Sequence, residues 1–220
     1  SDYGAASALS AGATTARIFF DATGTPTGTE TIEVKPADGS SIYDDAGNAT
    51  LATQTTGTKY LPDETAPVIS NLADNKTYVK QGDVVNITFD IVEEKGITTN
   101  PTVTIRDNGD TQTIGTATYS SRTGSGTHAS PYQYTYTFTV PSGDYANVRI
   151  EVDATDDASN AATQAVETNA FTIDNTLPQV SSIVRQSPTW QQTNGTSVTW
   201  RVTFSEDIDA GTLANTDFTV

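Results

Sequence analysis

The sequence contains no cysteine, no methionine and a single histidine in 220 residues. Without Cys there can be no disulfide, no thiol nucleophile and no Cys-ligated zinc. That absence does not place the chain in the cytosol, because secreted bacterial proteins can also lack disulfides. The lone His128 lies in Gly124-Ser125-Gly126-Thr127-His128, which reads as a flexible loop. A loop histidine of this kind reads as solvated, and one imidazole cannot furnish a repeated Ser-His-Asp set. Basic residues are also scarce, 11 against 27 acids, for a formal net charge of −16. They are scattered, so no basic patch is available to hold nucleic acid. No apolar run approaches the roughly 18–20 residues needed to cross a bilayer. The chain opens on Ser1 with no signal-peptide pattern, so it reads as a mature form or a fragment of something longer.

What is present is polar and β-forming. Hydrophobic residues make up 35% and charged residues 17%, with Thr, Ser, Asn and Gly filling the remainder. Thr favours strands over helices, so the composition predicts an all-β protein with many polar turns.

Internal repeats organise the chain. Asp44-Asp45-Ala46-Gly47-Asn48-Ala49 recurs as Asp156-Asp157-Ala158-Ser159-Asn160-Ala161, 112 residues later. Asp63-Glu64-Thr65-Ala66-Pro67 recurs as Asp174-Asn175-Thr176-Leu177-Pro178, 111 residues later. A looser match pairs Val85-Asn86-Ile87-Thr88-Phe89 with Trp200-Arg201-Val202-Thr203-Phe204. The Asp-x-Thr-x-Pro phrases mark the boundaries, since Pro ends a strand and stiffens a link. Residues 1–66 then hold the second half of a repeat, 67–176 a complete one and 177–220 the first half of another. Together the two halves add up to about one repeat.

The complete repeat reads as strands. Tyr132, Tyr134, Tyr136, Phe138 and Val140 alternate with polar residues, as do Val85, Ile87, Phe89 and Ile91. Ala146, Val148, Ile150 and Val152 give another strand by the same period-two rule. Shorter strands are expected at Val68–Leu72, Val103–Ile105, Ile114–Tyr119 and Phe171–Ile173, separated by turns such as Asp107-Asn108-Gly109. In the half repeats, Val198 to Phe204, Ile18 with Phe20, and Ile32 with Val34 read as strands, and Ala5 to Ala16 as loop. About seven short strands per repeat fit an Ig-like β-sandwich. The expected fold is therefore all-β: tandem Ig-like sandwich domains, one complete and two complementary partial repeats. The tyrosine alternation fits sandwich core better than a carbohydrate-binding strip.

These phrases resemble those of bacterial Ig-like tandem repeats from very large secreted or surface proteins. The likeness is carried by Val198-Thr199-Trp200-Arg201-Val202-Thr203-Phe204-Ser205-Glu206 with Asp217-Phe218-Thr219-Val220. Ile42-Tyr43-Asp44-Asp45-Ala46-Gly47-Asn48-Ala49 and the Asp-x-Thr-x-Pro linkers carry it further. The resemblance implies an extracellular or cell-surface setting in an adhesin, surface filament or surface layer, often with bound calcium.

Sandwich topology predicts where the acids gather. The end of the second strand, the loop between the sixth and seventh strands and the incoming linker share one pole. That brings together Asp63, Glu64, Glu93, Glu94, Asp153, Asp156, Asp157 and Asn160. At the next junction Asp174 and Asn175 meet Glu206, Asp207 and Asp209. The closing loop there would come from Asp44, Asp45 and Asn48 of another copy. Clustered oxygen donors suit Ca²⁺, which takes six to eight of them. The alternative is that these are solvated turn acids.

Two functional classes follow. The first is a non-catalytic structural repeat unit of a filament, surface layer or adhesin stalk. Inter-domain calcium would rigidify it, and its end halves would be completed by other copies, head-to-tail or in tandem. The second is an adhesion module binding a surface glycan or protein, with the divergent segment 100–132 and its Gly124–Ser130 loop as the place to look. No catalytic set is present to support an enzyme.

Overall fold

The computed structural model describes residues 12–19, 23–190 and 195–219. The expectations for residues 5–11 and for Phe20 lie outside the described residues; residues 13–16 carry no regular structure. Among the described residues the regular structure is strand, apart from one 3₁₀ turn, Asn215–Asp217. In chain order the strands are β1 (Thr31–Ile32), β2 (Lys59–Tyr60), β3 (Val68–Asp74), β4 (Tyr78–Val79), β5 (Val84–Val92), β6 (Thr102–Arg106) and β7 (Thr113–Thr116). They continue as β8 (Thr118–Thr123), β9 (Tyr132–Thr139), β10 (Arg149–Asp153), β11 (Ala165–Glu167), β12 (Thr172–Ile173), β13 (Val180–Ser187) and β14 (Thr199–Phe204). The chain divides into two compact units, Ser1–Asp174 and Asn175–Val220.

The first unit is built on two four-stranded antiparallel sheets, ordered β3-β5-β9-β8 and β11-β10-β6-β7. Period-two patterning turns one face of each inward. Val85, Ile87, Phe89 and Ile91 of β5 and Tyr134, Tyr136 and Phe138 of β9 meet Val103 and Ile105 of β6 and Ile150 and Val152 of β10 in one buried cluster. Fully burying a side chain of Ile or Phe size is worth about 1.5–3 kcal/mol, so this shared core holds the sheets face to face. Phe89 stacks on Tyr134 at 5.3 Å, and the Tyr136 hydroxyl donates to the Pro101 carbonyl (2.5 Å). The tyrosine alternation is thus core, with Tyr132 half-buried at its end.

Within the complete repeat two elements differ from the sequence expectation, and in the half repeats Ile18 carries no strand and β1 ends at Ile32, short of Val34. Ile114–Tyr119 is not one strand. β7 pairs with β6, β8 pairs with β9, and the chain crosses between sheets at Ala117. β10 begins at Arg149 rather than near Ala146, because Asn147 takes a left-handed φ of 52° that breaks the extended run. The short β12 pairs in parallel with β4.

The segment before β3 is anchored within the same unit. β1 pairs with β2, Thr27 bridges Asp63, and Glu64 N donates to the Pro26 carbonyl (2.9 Å). In the second unit, β13 and β14 form an antiparallel pair, with Val180 opposite Phe204 and Ile183 opposite Val202.

Candidate metal centre

Three carboxylates converge at one end of the first unit, each delivered by a different segment. Glu93 directly follows β5 and continues its alternation: Phe89 and Ile91 point into the core, and so does Glu93, only 4% exposed. Its backbone N–H donates to the Gly126 carbonyl (2.8 Å), tying it to the 124–130 loop. Gly126 sits at φ 84°, and a Cβ there would collide with the Glu93 carbonyl oxygen and the Tyr132 ring. Glu93 Oε1 accepts a bond from Lys95 N (2.8 Å).

Asp156 follows β10 and is 6% exposed. It caps its own turn: Oδ1 accepts from Ala158 N and Asn160 N, both at 2.8 Å, and Oδ2 from Asn160 Nδ2 at 2.9 Å. Ser159 takes φ 77° to close the turn. The Asn160 amide also donates to the Asp63 carbonyl (3.1 Å), which fastens the incoming linker to this loop.

Asp63 arrives on that linker. Thr65 N donates to its Oδ1 (3.1 Å), while its Oδ2 is enclosed and has no hydrogen-bond partner. One oxygen each from Asp63, Glu93 and Asp156 lies within 4.8 Å of the others.

No lysine or arginine among the described residues forms an ion pair with these acids. Lys95 is close in sequence, but its Nζ donates to the Gly28 carbonyl (3.0 Å) and lies over the Tyr60 ring. Two like charges about 4 Å apart repel by roughly 4 kcal/mol at an effective dielectric near 20, so the cluster calls for a proton or a cation. Burial pushes the Glu93 carboxyl above its ordinary range, the charges of Asp63 and Asp156 add to this, and the Lys95 N–H opposes it. A buried oxygen lacking any donor, beside two further inward carboxylates, fits a metal ion, and the triad can hold one. The donor set is all oxygen, which suits a hard cation rather than zinc.

The other expected residues are placed differently. Glu64 and Glu94 are exposed, and Glu94 lies 4.0 Å from His128. Asp153 is exposed and accepts from Gln164 Nε2 (3.1 and 3.2 Å). Asp157 turns away to take bonds from Thr98 N (2.8 Å) and Oγ1 (2.6 Å), which hold its carboxyl below the ordinary range. Asn160 acts as a clamp between Asp156 and Asp63. Asp44, Asp45 and Asn48 form an exposed turn of their own. Asp174 and Asp207 are exposed, whereas Glu206 Oε1 is enclosed with no partner. Sequence reading set Gly126 in a candidate adhesion loop rather than at this site, and it did not single out Lys95. The only available signal was that Glu93 falls on the inward parity of β5 and that a Gly-rich loop lies a strand away. Compared with known proteins, the chain matches no family model and no curated sequence.

Proposed function

We propose that the chain is a non-catalytic structural repeat unit of an extracellular filament, surface layer or adhesin stalk. Calcium at Asp63, Glu93 and Asp156 stiffens the joint between the linker and the complete sandwich, and neighbouring copies complete the end halves. The carrying observation is the convergence of three carboxylates from three segments, one of which, Asp63, has an enclosed oxygen with no hydrogen-bond partner. One of those segments is the linker, so a bound cation would tie it to two loops of the domain that follows. When bound, the cation offsets two of the three negative charges, and the chain's own N–H donors at Thr65, Lys95 and Ala158 keep the carboxylates aimed inward.

The strand order supports tandem Ig-like repeats. In immunoglobulin lettering, β3-β5-β9-β8 reads A-B-E-D, and β11-β10-β6-β7 reads G-F-C with an added edge. The turns at Asp44 and Asp156 support it as well. Asp44 Oδ1 accepts from Ala46 N and Asn48 N, and Oδ2 from Asn48 Nδ2, the same set as at Asp156.

Titration calorimetry with Ca²⁺ tests the reading. The expected result is one calcium per triad and a higher melting temperature than in chelator. At a hundredfold excess over Kd the stabilisation is about 2.7 kcal/mol. No calcium heat together with identical melting in chelator would overturn it.

A further inference from the structure

The β13–β14 pair carries the pattern of β3–β5 without a sheet over it. Aligning the Pro67 and Pro178 phrases sets Ile69 against Val180. Because Ile69 pairs with Ile91 and Val180 with Phe204, Phe204 takes the place of Ile91. This shifts the sequence alignment of the two strands by two residues and keeps side chains on the same face. Val198, Trp200, Val202 and Phe204 then correspond to Val85, Ile87, Phe89 and Ile91, and Glu206 to Glu93. The β5 residues are at most 1% exposed, whereas Val198 and Trp200 are 43% and 53% exposed.

Segment 23–65 carries the other half of that pattern. Its Asp44 turn repeats the Asp156 turn bond for bond, including Asp44 N to Asn48 O (3.0 Å) against Asp156 N to Asn160 O (3.1 Å). Flanking it, Thr56 N donates to Val34 O, as Ala170 N donates to Val148 O beside Asp156. The turn is exposed, and among the described residues no trio of acids gathers at it as at Asp156; Glu206 has an enclosed Oε1 with no partner.

We propose that the Val198–Phe204 face of β14 docks residues 23–65 of a second copy, and that docking sets the Asp44 turn of that copy beside Glu206, as Asp156 stands beside Glu93. This deepens the proposed completion by neighbouring copies and rests on it. The apolar face gains its cover, and two carboxylates from different chains meet where a hard cation can bridge them. Assembly is therefore promoted by calcium and opposed by chelator.

The absence of cysteine makes the test direct. Full-length chains carrying Asp44→Cys are mixed with chains carrying Glu206→Cys under mild oxidation, beside light scattering of the unsubstituted chain with and without calcium. The expected result is a disulfide-linked dimer in the mixture, at least tenfold above either variant alone, and lost when Trp200→Asp is added to the Glu206→Cys chain. Calcium heat at the Asp63 triad should persist in that double variant, which reports an intact first unit. Oligomers by light scattering without mixture-specific cross-linking would overturn this inference and leave completion by neighbours standing. A monomer at every concentration, with and without calcium, would overturn both.

Discussion

Glu93 is the residue on which the candidate centre turns. It is buried, faces two other carboxylates and, among the described residues, forms no ion pair with a base. Because its folded pKa is raised, its contribution to stability is full at low pH, where it is protonated in both states. That contribution is lost as pH rises through and above the ordinary carboxylate range. Urea midpoints of the chain in chelator should therefore carry a component that falls as pH climbs from 4. With saturating calcium this component should reverse, because protons compete with the cation. Asp44, Asp107 and Asp157 act in the opposite sense: hydrogen bonds lower their pKa, so their contribution is lost as pH falls. Glu93→Gln keeps the shape and the acceptor for Lys95 N while removing one charge. It should raise the melting temperature in chelator and abolish the calcium-induced shift; scanning calorimetry of both states checks this.

At the scale of elements, alternation decides which acids meet. Glu93 and Glu94 are neighbours at a strand end, and period two sends one inward and the other to solvent. The same logic made the core legible: β5 and β9 fall where their apolar alternation puts them, and the Asp-Asp-x-x-Asn phrases form matching turns. What could not be read depends on partners distant in sequence. The crossing at Ala117 is set by which sheet each side pairs with, and Asp157 turns aside because Thr98, 59 residues away, supplies two donors. Two substitutions test the elements. Phe89→Ala removes the ring stacked on Tyr134 and Tyr136 and should cost about 3–5 kcal/mol in urea unfolding. Gly126→Ala places a side chain against the Glu93 carbonyl at a left-handed φ and should cost more than about 1 kcal/mol. Calcium affinity should weaken with it, since the same loop holds Glu93 in place.

For the whole molecule, a net charge of −16 repels itself, and salt screens that repulsion. Raising NaCl from about 10 mM to about 1 M, where the Debye length falls from ~30 to ~3 Å, should therefore stabilise the chain in chelator. The calcium-induced shift should survive at high salt, because Glu93 and Asp156 are buried, Asp63 is partly so, and bulk ions screen the triad poorly. If the shift instead vanished along with the general charge effect, calcium would be acting as a diffuse counterion. Magnesium, which demands a tighter octahedron, should reproduce the salt effect but not the additional shift.

The bond from Asn160 to the Asp63 carbonyl links positions 97 residues apart, just ahead of the strand that begins the sandwich. Tension applied along the chain reaches Asp63 before it reaches β3. What stands between that pull and the edge of the four-stranded sheet is a clasp of one amide, a bridge to Thr27 and the carboxylate trio. A strand peeled from its sheet must find its register again, whereas a clasp re-forms by local closure. In the proposed stalk, a clasp placed ahead of β3 would yield and reset under load while the sandwich behind it stays folded.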